Sequence, residues 1–98
     1  MRVGLLLLLS VMLPAVALAE MPGEKLFKRK CTMCHQVNGR GGDIGPDLSK
    51  VASRLSVAQL QAKVLYPKKS APSTSMPSFA TLPTAEMDAL LAYLKTLR

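Results

Sequence analysis

The chain has 98 residues, with 13 Lys and Arg against 6 Asp and Glu for a net charge of +7, and it holds two Cys, one His and no Trp. That length suits one small domain. Two cysteines and one histidine also fall short of the about four N or S ligands that a structural zinc site needs. The basic balance admits nucleic acid in principle, but two Tyr and two Phe provide no stacking series for it.

Met1-Arg2 forms a minimal positive n-region, residues 3–18 form an apolar run broken only by Gly4, Ser10 and Pro14, and Ala17-Leu18-Ala19 is a small-x-small cleavage site. The pattern predicts a secretory signal peptide over residues 1–19, cleaved before Glu20, and one domain over residues 20–98. An uncleaved anchor is the alternative, since the run is near the lower limit for spanning a bilayer. Pro14 and the small residues after it favour processing. Removing the leader takes away Arg2 and leaves a domain that is still basic. A domain of that size rarely holds together on its side chains alone and usually needs a staple.

Pro22 to Cys34 reads as the first helix, with Pro22 early, Glu24 in the first turn and the basic run Lys28-Arg29-Lys30 near its end. It leads into Cys31-Thr32-Met33-Cys34-His35, which reads as a covalent haem attachment site. Each thiol adds to one vinyl group, and His35, one residue past Cys34, stands ready to bind the iron. A thioredoxin-type Cys-x-x-Cys would need a βαβ context, yet residues 20–98 hold a single isoleucine, few valines and no alternating run. Two ordinary cysteines beside an unrelated histidine would leave the clustering of all three within five residues without a reason. A haem is also the staple that the domain lacks, so the haem-free chain is expected to be largely unfolded.

Gln36 to Asp47 carries Asn38-Gly39, Gly41-Gly42 and Gly45-Pro46 and reads as a loop in which no regular element persists. Ser49 to Leu55 predicts a short helix. Ser56 caps a second one, with Val57, Leu60, Val64 and Leu65 as its apolar face and Pro67 ending it. Tyr66 to Phe79 holds three prolines and four serines and reads as an ordered loop, not a helix. Thr84 is the expected N-cap of a last helix reaching Arg98. Glu86 falls in its first turn, Lys95 and Arg98 in its last, and Met87, Leu90, Leu91, Leu94 and Leu97 at helical spacing.

A second axial ligand follows by elimination among the methionines of residues 20–98. Met33 lies between the two cysteines, Met21 sits at the N-terminal end and Met87 falls on the apolar face of the last helix, where Met is ordinarily core. Only Met76 is on a loop, and Pro77 after it pushes its backbone toward an extended conformation.

With Gly23 and Phe27 eight and four residues before Cys31, the chain resembles the class I c-type cytochromes, whose first helix has a Gly and an aromatic at those offsets. Three further stretches of this sequence carry the resemblance: Gly45-Pro46-Asp47-Leu48, Pro67-Lys68-Lys69 with Pro72-Ser73-Thr74-Ser75-Met76, and Leu90-Leu91-Ala92-Tyr93-Leu94-Lys95. Together they cover essentially all of residues 20–98. The resemblance implies an all-α fold of three to five helices wrapped around one covalently bound haem c. The first helix would cross the last closely at Gly23, with Tyr93 packed against it. It further implies that the Pro46 carbonyl accepts the His35 Nδ1 proton and that Met76 is the sixth ligand. Arg54 is a candidate donor to a haem propionate, or a solvated arginine.

Three features set the chain apart from the mitochondrial branch. It has no Trp to bond a propionate, Lys63 falls where that branch has a Tyr beside the ligand sulfur, and Ser73 stands where it has the Gly of Pro-Gly-Thr. The loop is closer to the short bacterial members.

The function implied is single-electron transfer between redox partners in the periplasm, by a monomer or by a subunit of a heteromeric complex. The partners would have acidic docking faces, steered by Lys28, Lys68 and Lys69. No nucleic acid takes part, and a membrane is met only through a partner or an uncleaved leader. Two other readings stand beside it: the haem subunit of a larger periplasmic oxidoreductase, and an open-site haem sensor or enzyme in which Met76 is not bound.

Overall fold

In the computed structural model the chain is described at Gly4, residues 6–12 and residues 19–98. The expected n-region, Pro14 and the start of the cleavage site lie outside the described residues. Among those that are described, Leu6 to Leu9, Val11 and Met12 are exposed, and no helix is long and apolar enough to cross a membrane.

Helix α1 spans Pro22–Lys30 and ends at the attachment motif instead of running through it to Cys34. The cause is local. The Phe27 carbonyl accepts from the Cys31 and Thr32 backbone N–H groups and from the Thr32 hydroxyl, at 2.8, 3.1 and 3.1 Å. Drawing Thr32 back onto Phe27 closes the helix, as short hydroxyl side chains do when they compete for backbone carbonyls. Cys31 to Cys34 then form a turn, with the Cys34 and His35 N–H groups both donating to the Cys31 carbonyl.

The glycine-rich segment holds more order than its composition implies. Strands β1 (Gln36–Val37) and β2 (Arg40–Gly41) pair antiparallel, Gln36 opposite Gly41 and Val37 opposite Arg40. Asn38 and Gly39 join them with φ of 51° and 79°. Left-handed backbone at both central positions is what a tight two-residue hairpin requires, and Asn-Gly is the pair best suited to it.

After this hairpin the expected Ser49 to Leu55 helix is reduced to a 3-10 turn at Val51–Ser53. Val51 is 2% exposed, and the next residue, Ala52, donates its N–H to the Leu97 carbonyl at 2.7 Å.

Helix α2 (Val57–Leu65) has the bounds and cap expected of it. Ser56 Oγ accepts the Gln59 N–H while Gln59 Oε1 accepts the Ser56 N–H, a reciprocal capping box. Leu60 and Val64 are buried, whereas Val57 lies off the apolar face and is exposed. Pro67 ends α2 but also opens a single turn, α3 (Pro67–Ser70), inside the stretch expected to be loop. Proline suits the first helical position, where its missing N–H has no partner to lose.

Helix α4 spans Thr84–Leu94, with Pro83 as its N-cap, so Thr84 is its first residue and not its cap. It stops short of Arg98 for the same reason that α1 stops at Lys30. Thr96 directs both its N–H and its hydroxyl to the Tyr93 carbonyl, at 2.9 and 2.6 Å. Leu97 beyond this turn is still buried.

The core forms where α1 crosses α4. A Cβ at Gly23 would overlap the Ala89 carbonyl and approach Tyr93 Cβ to 2.9 Å, so only glycine lets the backbones meet this closely. The Phe27 and Tyr93 rings pack at a 5.5 Å centroid distance and a 57° tilt, an arrangement worth about 0.5–1.5 kcal/mol beyond the area it buries. Leu26, Leu90 and Leu94 extend this contact, and Val51, Leu60 and Val64 join it from the other elements.

Candidate haem site

The cavity beside this core has a volume of about 490 Å³, within the roughly 300–1,000 Å³ usual for ligand and cofactor sites. All five residues singled out by the sequence line it: Cys31, Cys34, His35, Pro46 and Met76. Apolar wall is supplied by Val51, Leu60, Val64, Phe79 and Leu94. Arg54 and Lys63 line it as well.

One side is built by the turn after α1 and the segment around Pro46. His35 Nδ1–H donates to the Pro46 carbonyl at 2.8 Å. Nε2 has no hydrogen-bond partner among the described residues, so the imidazole is held in one tautomer with one nitrogen available to a metal. A Cβ at Gly45 would come within 2.5–2.7 Å of His35 Cε1 and Nδ1, so the ring rests directly on glycine backbone.

The Pro46 segment is itself tied down. Asp47 Oδ1 accepts the Ser49 N–H at 2.7 Å, and Ser49 Oγ accepts the Asn38 N–H at 2.7 Å. The Leu48 N–H donates to the Gln36 carbonyl at 2.8 Å, and the Gly45 N–H to the Cys34 carbonyl at 2.7 Å. The Ser49 hydrogen bonds hold the Asp47 carboxyl below its usual value. Sequence reasoning missed this support. The Asp-x-Ser spacing of an Asx turn was the available signal, and the glycine before Pro46 was read as a loop former and part of a family motif, not as the surface on which the His35 ring rests.

The opposite side is the chain from α3 to Phe79. Met76 is half-buried, and its N–H donates to Thr74 Oγ1 at 3.1 Å. Two residues on, the Ser78 hydroxyl donates to the Leu65 carbonyl and the Phe79 N–H to the Val64 carbonyl. Among the described methionines, Met12, Met21 and Met33 are exposed and Met87 is in the core. Met76 alone lines the cavity.

Cys31 and Cys34 are free thiols. Burial pushes the Cys31 thiol up to about 11, with Cys34 adding to the effect and Lys30 opposing it.

The lysines expected to steer a partner differ in their surroundings. Lys28 is engaged by the Glu20 carboxylate and lies 3.9 Å from that of Glu24, so its charge is largely answered within the chain. Lys68 and Lys69 are exposed on α3, and Lys69 Nζ lies 4.9 Å from the centroid of the Tyr66 ring.

These residues fit a haem. The donor set is one imidazole with a free nitrogen, one thioether and two thiols, arranged around a cavity with largely apolar walls. The arrangement does not suit a zinc ion, since no group of three or more His, Cys, Asp or Glu residues that could hold a metal is found among the described residues.

Comparison with known proteins points the same way. Residues 20–98 match the family model of cytochrome c. The chain is similar to a dihydro-heme d1 dehydrogenase of Pseudomonas aeruginosa, 43% identical over 91 residues that cover 90% of this chain and 18% of that protein. It is 27% identical over 93 residues to cytochrome c oxidase subunit 2 of Alkalihalophilus pseudofirmus, covering 87% of this chain and 27% of the relative. It thus spans about a fifth and a quarter of the length of these two. Against the cytochrome c of Nigella damascena it is 34% identical over 94 residues, covering 74% of this chain and 85% of that one. A helical fold closed by an α1–α4 crossing, a cavity fitted for haem, and a match running from Glu20 to Arg98 establish that this chain belongs to the cytochrome c family, the haem c proteins of electron transfer.

Proposed function

We propose that the chain carries single electrons between partner proteins in the periplasm, using one haem c attached through Cys31 and Cys34 and ligated by His35 and Met76. The observation that carries this reading is the cavity itself, lined at once by both thiols, the imidazole and the thioether. When bound, the haem supplies an iron that changes by one electron between Fe(II) and Fe(III).

The chain's own residues do the rest. His35 keeps Nδ1 on the Pro46 carbonyl and offers Nε2 to the metal in a fixed orientation. Met76 contributes a soft thioether that favours the reduced state. With His35 and Met76 both holding the metal, the centre would leave no place for a substrate. Arg54, on the same cavity wall, is the candidate donor to a propionate. Lys68 and Lys69 attract an acidic partner face, and electron-exchange rates are expected to fall as ionic strength rises.

The deciding experiment is Met76→Ala in the haem-loaded protein. The Met-to-ferric charge-transfer band should vanish. The Fe(II)/Fe(III) ratio at a set potential should fall more than tenfold, about 59 mV per decade for one electron. A spectrum and potential that barely move would overturn the axial assignment. Rapid carbon monoxide binding to the unsubstituted ferrous protein would point to the open-site sensor or enzyme.

A second reading is favoured by the match to 18% of a dihydro-heme d1 dehydrogenase. There the chain would serve as the electron-transfer module of a larger periplasmic oxidoreductase. Stable copurification with a catalytic chain would support it over a free carrier.

A further inference from the structure

The charged residues lining the haem cavity are all cations: Lys30, Arg54 and Lys63, with no carboxylate among the described lining residues. They are not held alike. Among the described residues the side chains of Lys30 and Arg54 make no hydrogen bond or ion pair. Lys63, on α2, donates from Nζ to Ser70 Oγ on α3 at 3.3 Å, and that hydroxyl in turn donates to the Pro67 carbonyl at 3.5 Å. Ser70 and Pro67 line the same cavity. The link joins two elements and holds the solvent-exposed Lys63 side chain at the rim of the cavity.

An ammonium has three N–H donors and no acceptor. Ser70 takes one, which leaves two donors for any anionic substituent of the cavity's occupant. Oxidation of the iron adds one positive charge inside the cavity, and a cation fixed at the wall opposes that charge more than it opposes the reduced centre. No carboxylate on the wall cancels the effect. Pairing with a propionate would act in the same direction, since it removes a negative charge that stabilises Fe(III).

We propose that Lys63, held by Ser70 at the cavity wall, tunes the haem toward the reduced state. The inference rests on the reading of this cavity as the haem site. It assigns to one cation a share of the potential that the residues holding the iron do not set.

The test is spectroelectrochemical titration of the haem-loaded protein at low ionic strength. Lys63→Gln should shift the Fe(II)/Fe(III) ratio at a set potential toward Fe(III) by about three- to tenfold, with tenfold equal to about 59 mV. Lys63→Arg, which keeps the charge, should stay close to the unsubstituted protein. Ser70→Ala should shift the ratio less but in the same direction, because it only frees the side chain. Lys95→Gln removes the same charge from an exposed residue at the C-terminal end of α4 that does not line the cavity, and should have the smallest effect.

The proposal is overturned if Lys63→Gln does no more than Lys95→Gln, or if Lys63→Arg matches Lys63→Gln. It is also overturned if Lys63→Gln abolishes the Met-to-ferric band, since Lys63 would then act by placing the loop. A missing band in the unsubstituted protein is a different result, which strikes at Met76 as a ligand and is read before any substitution is compared.

Discussion

The two sides of the cavity are held in different ways. On the His35 side the backbone is fastened at nearly every step. Gly45 is tied to Cys34, Leu48 to Gln36, Ser49 to Asn38, and Asp47 closes its own turn. On the Met76 side the chain is fastened by the α3 turn before it and by Ser78 and Phe79 after it, with the Thr74 N–H on the Ala71 carbonyl and the Thr74 hydroxyl in between. An imidazole must be oriented about its ring plane to bind a metal, so its support is rigid. A thioether on three rotatable bonds can find its position within a looser frame. The difference is a division of labour, in which one wall is preformed by hydrogen bonds and the other would be completed by the proposed Met76 ligation.

The largest test of this contrast removes the haem from both walls at once. Several hundred Å² of buried porphyrin, at about 25 cal/mol per Å², are worth on the order of 10 kcal/mol as an upper bound, comparable to the whole stability of a small domain. Protein carrying Cys31→Ala and Cys34→Ala and made without haem is therefore expected to show no cooperative thermal transition by circular dichroism. Should a sharp transition persist, the α1–α4 core would be sufficient by itself.

A smaller effect comes from disturbing each wall separately. Gly45→Ala forces a methyl into the His35 ring and is expected to cost about 1–3 kcal/mol, as overpacking does, with a visible change in the haem spectrum. Pro77→Ala on the other wall removes a backbone restraint, for about 0.4–1 kcal/mol, and only the edge of one lining side chain. Denaturant titration of the two variants checks the order, and equal losses would erase the proposed contrast.

The finest probe is pH. The carboxyl of Asp47 is held below its usual value in the folded chain by Ser49, so its support of the His35 wall is complete above the ordinary carboxylate range. That support is lost as pH falls through the lowered folded value. Asp47→Asn should therefore make the acid limb of the stability profile shallower and leave the behaviour near neutral pH little changed. An identical acid limb in both proteins would show that the Asp47 brace carries no weight.

Much of the site was legible in the chain. Five adjacent residues contain both thiols and the sole histidine, and elimination among the methionines left Met76, because each of these inferences depends only on residue type and spacing. The Ser56 cap and the end of α2 were legible for the same reason. The ends of α1 and α4 were not, since the hydroxyls of Thr32 and Thr96 turn back onto carbonyls of the preceding helix, a competition that periodicity does not register. The β1–β2 hairpin was read as plain loop although Asn38-Gly39 carried its signal. The α3 turn was hidden because Pro67 both ends one helix and begins another.

Composition and local pattern by themselves determined a small basic chain, its candidate sulfur and nitrogen ligands and the places of α1, α2 and α4, because these follow from short-range geometry along the chain. Only the tertiary structure decided that Gly45 bears the His35 ring, that Asp47 and Ser49 brace Pro46 against Asn38, and that Lys63 is held by Ser70 at the cavity wall. Each of these depends on where separate segments meet, and such meetings are set by core packing across the fold, which no window of sequence contains.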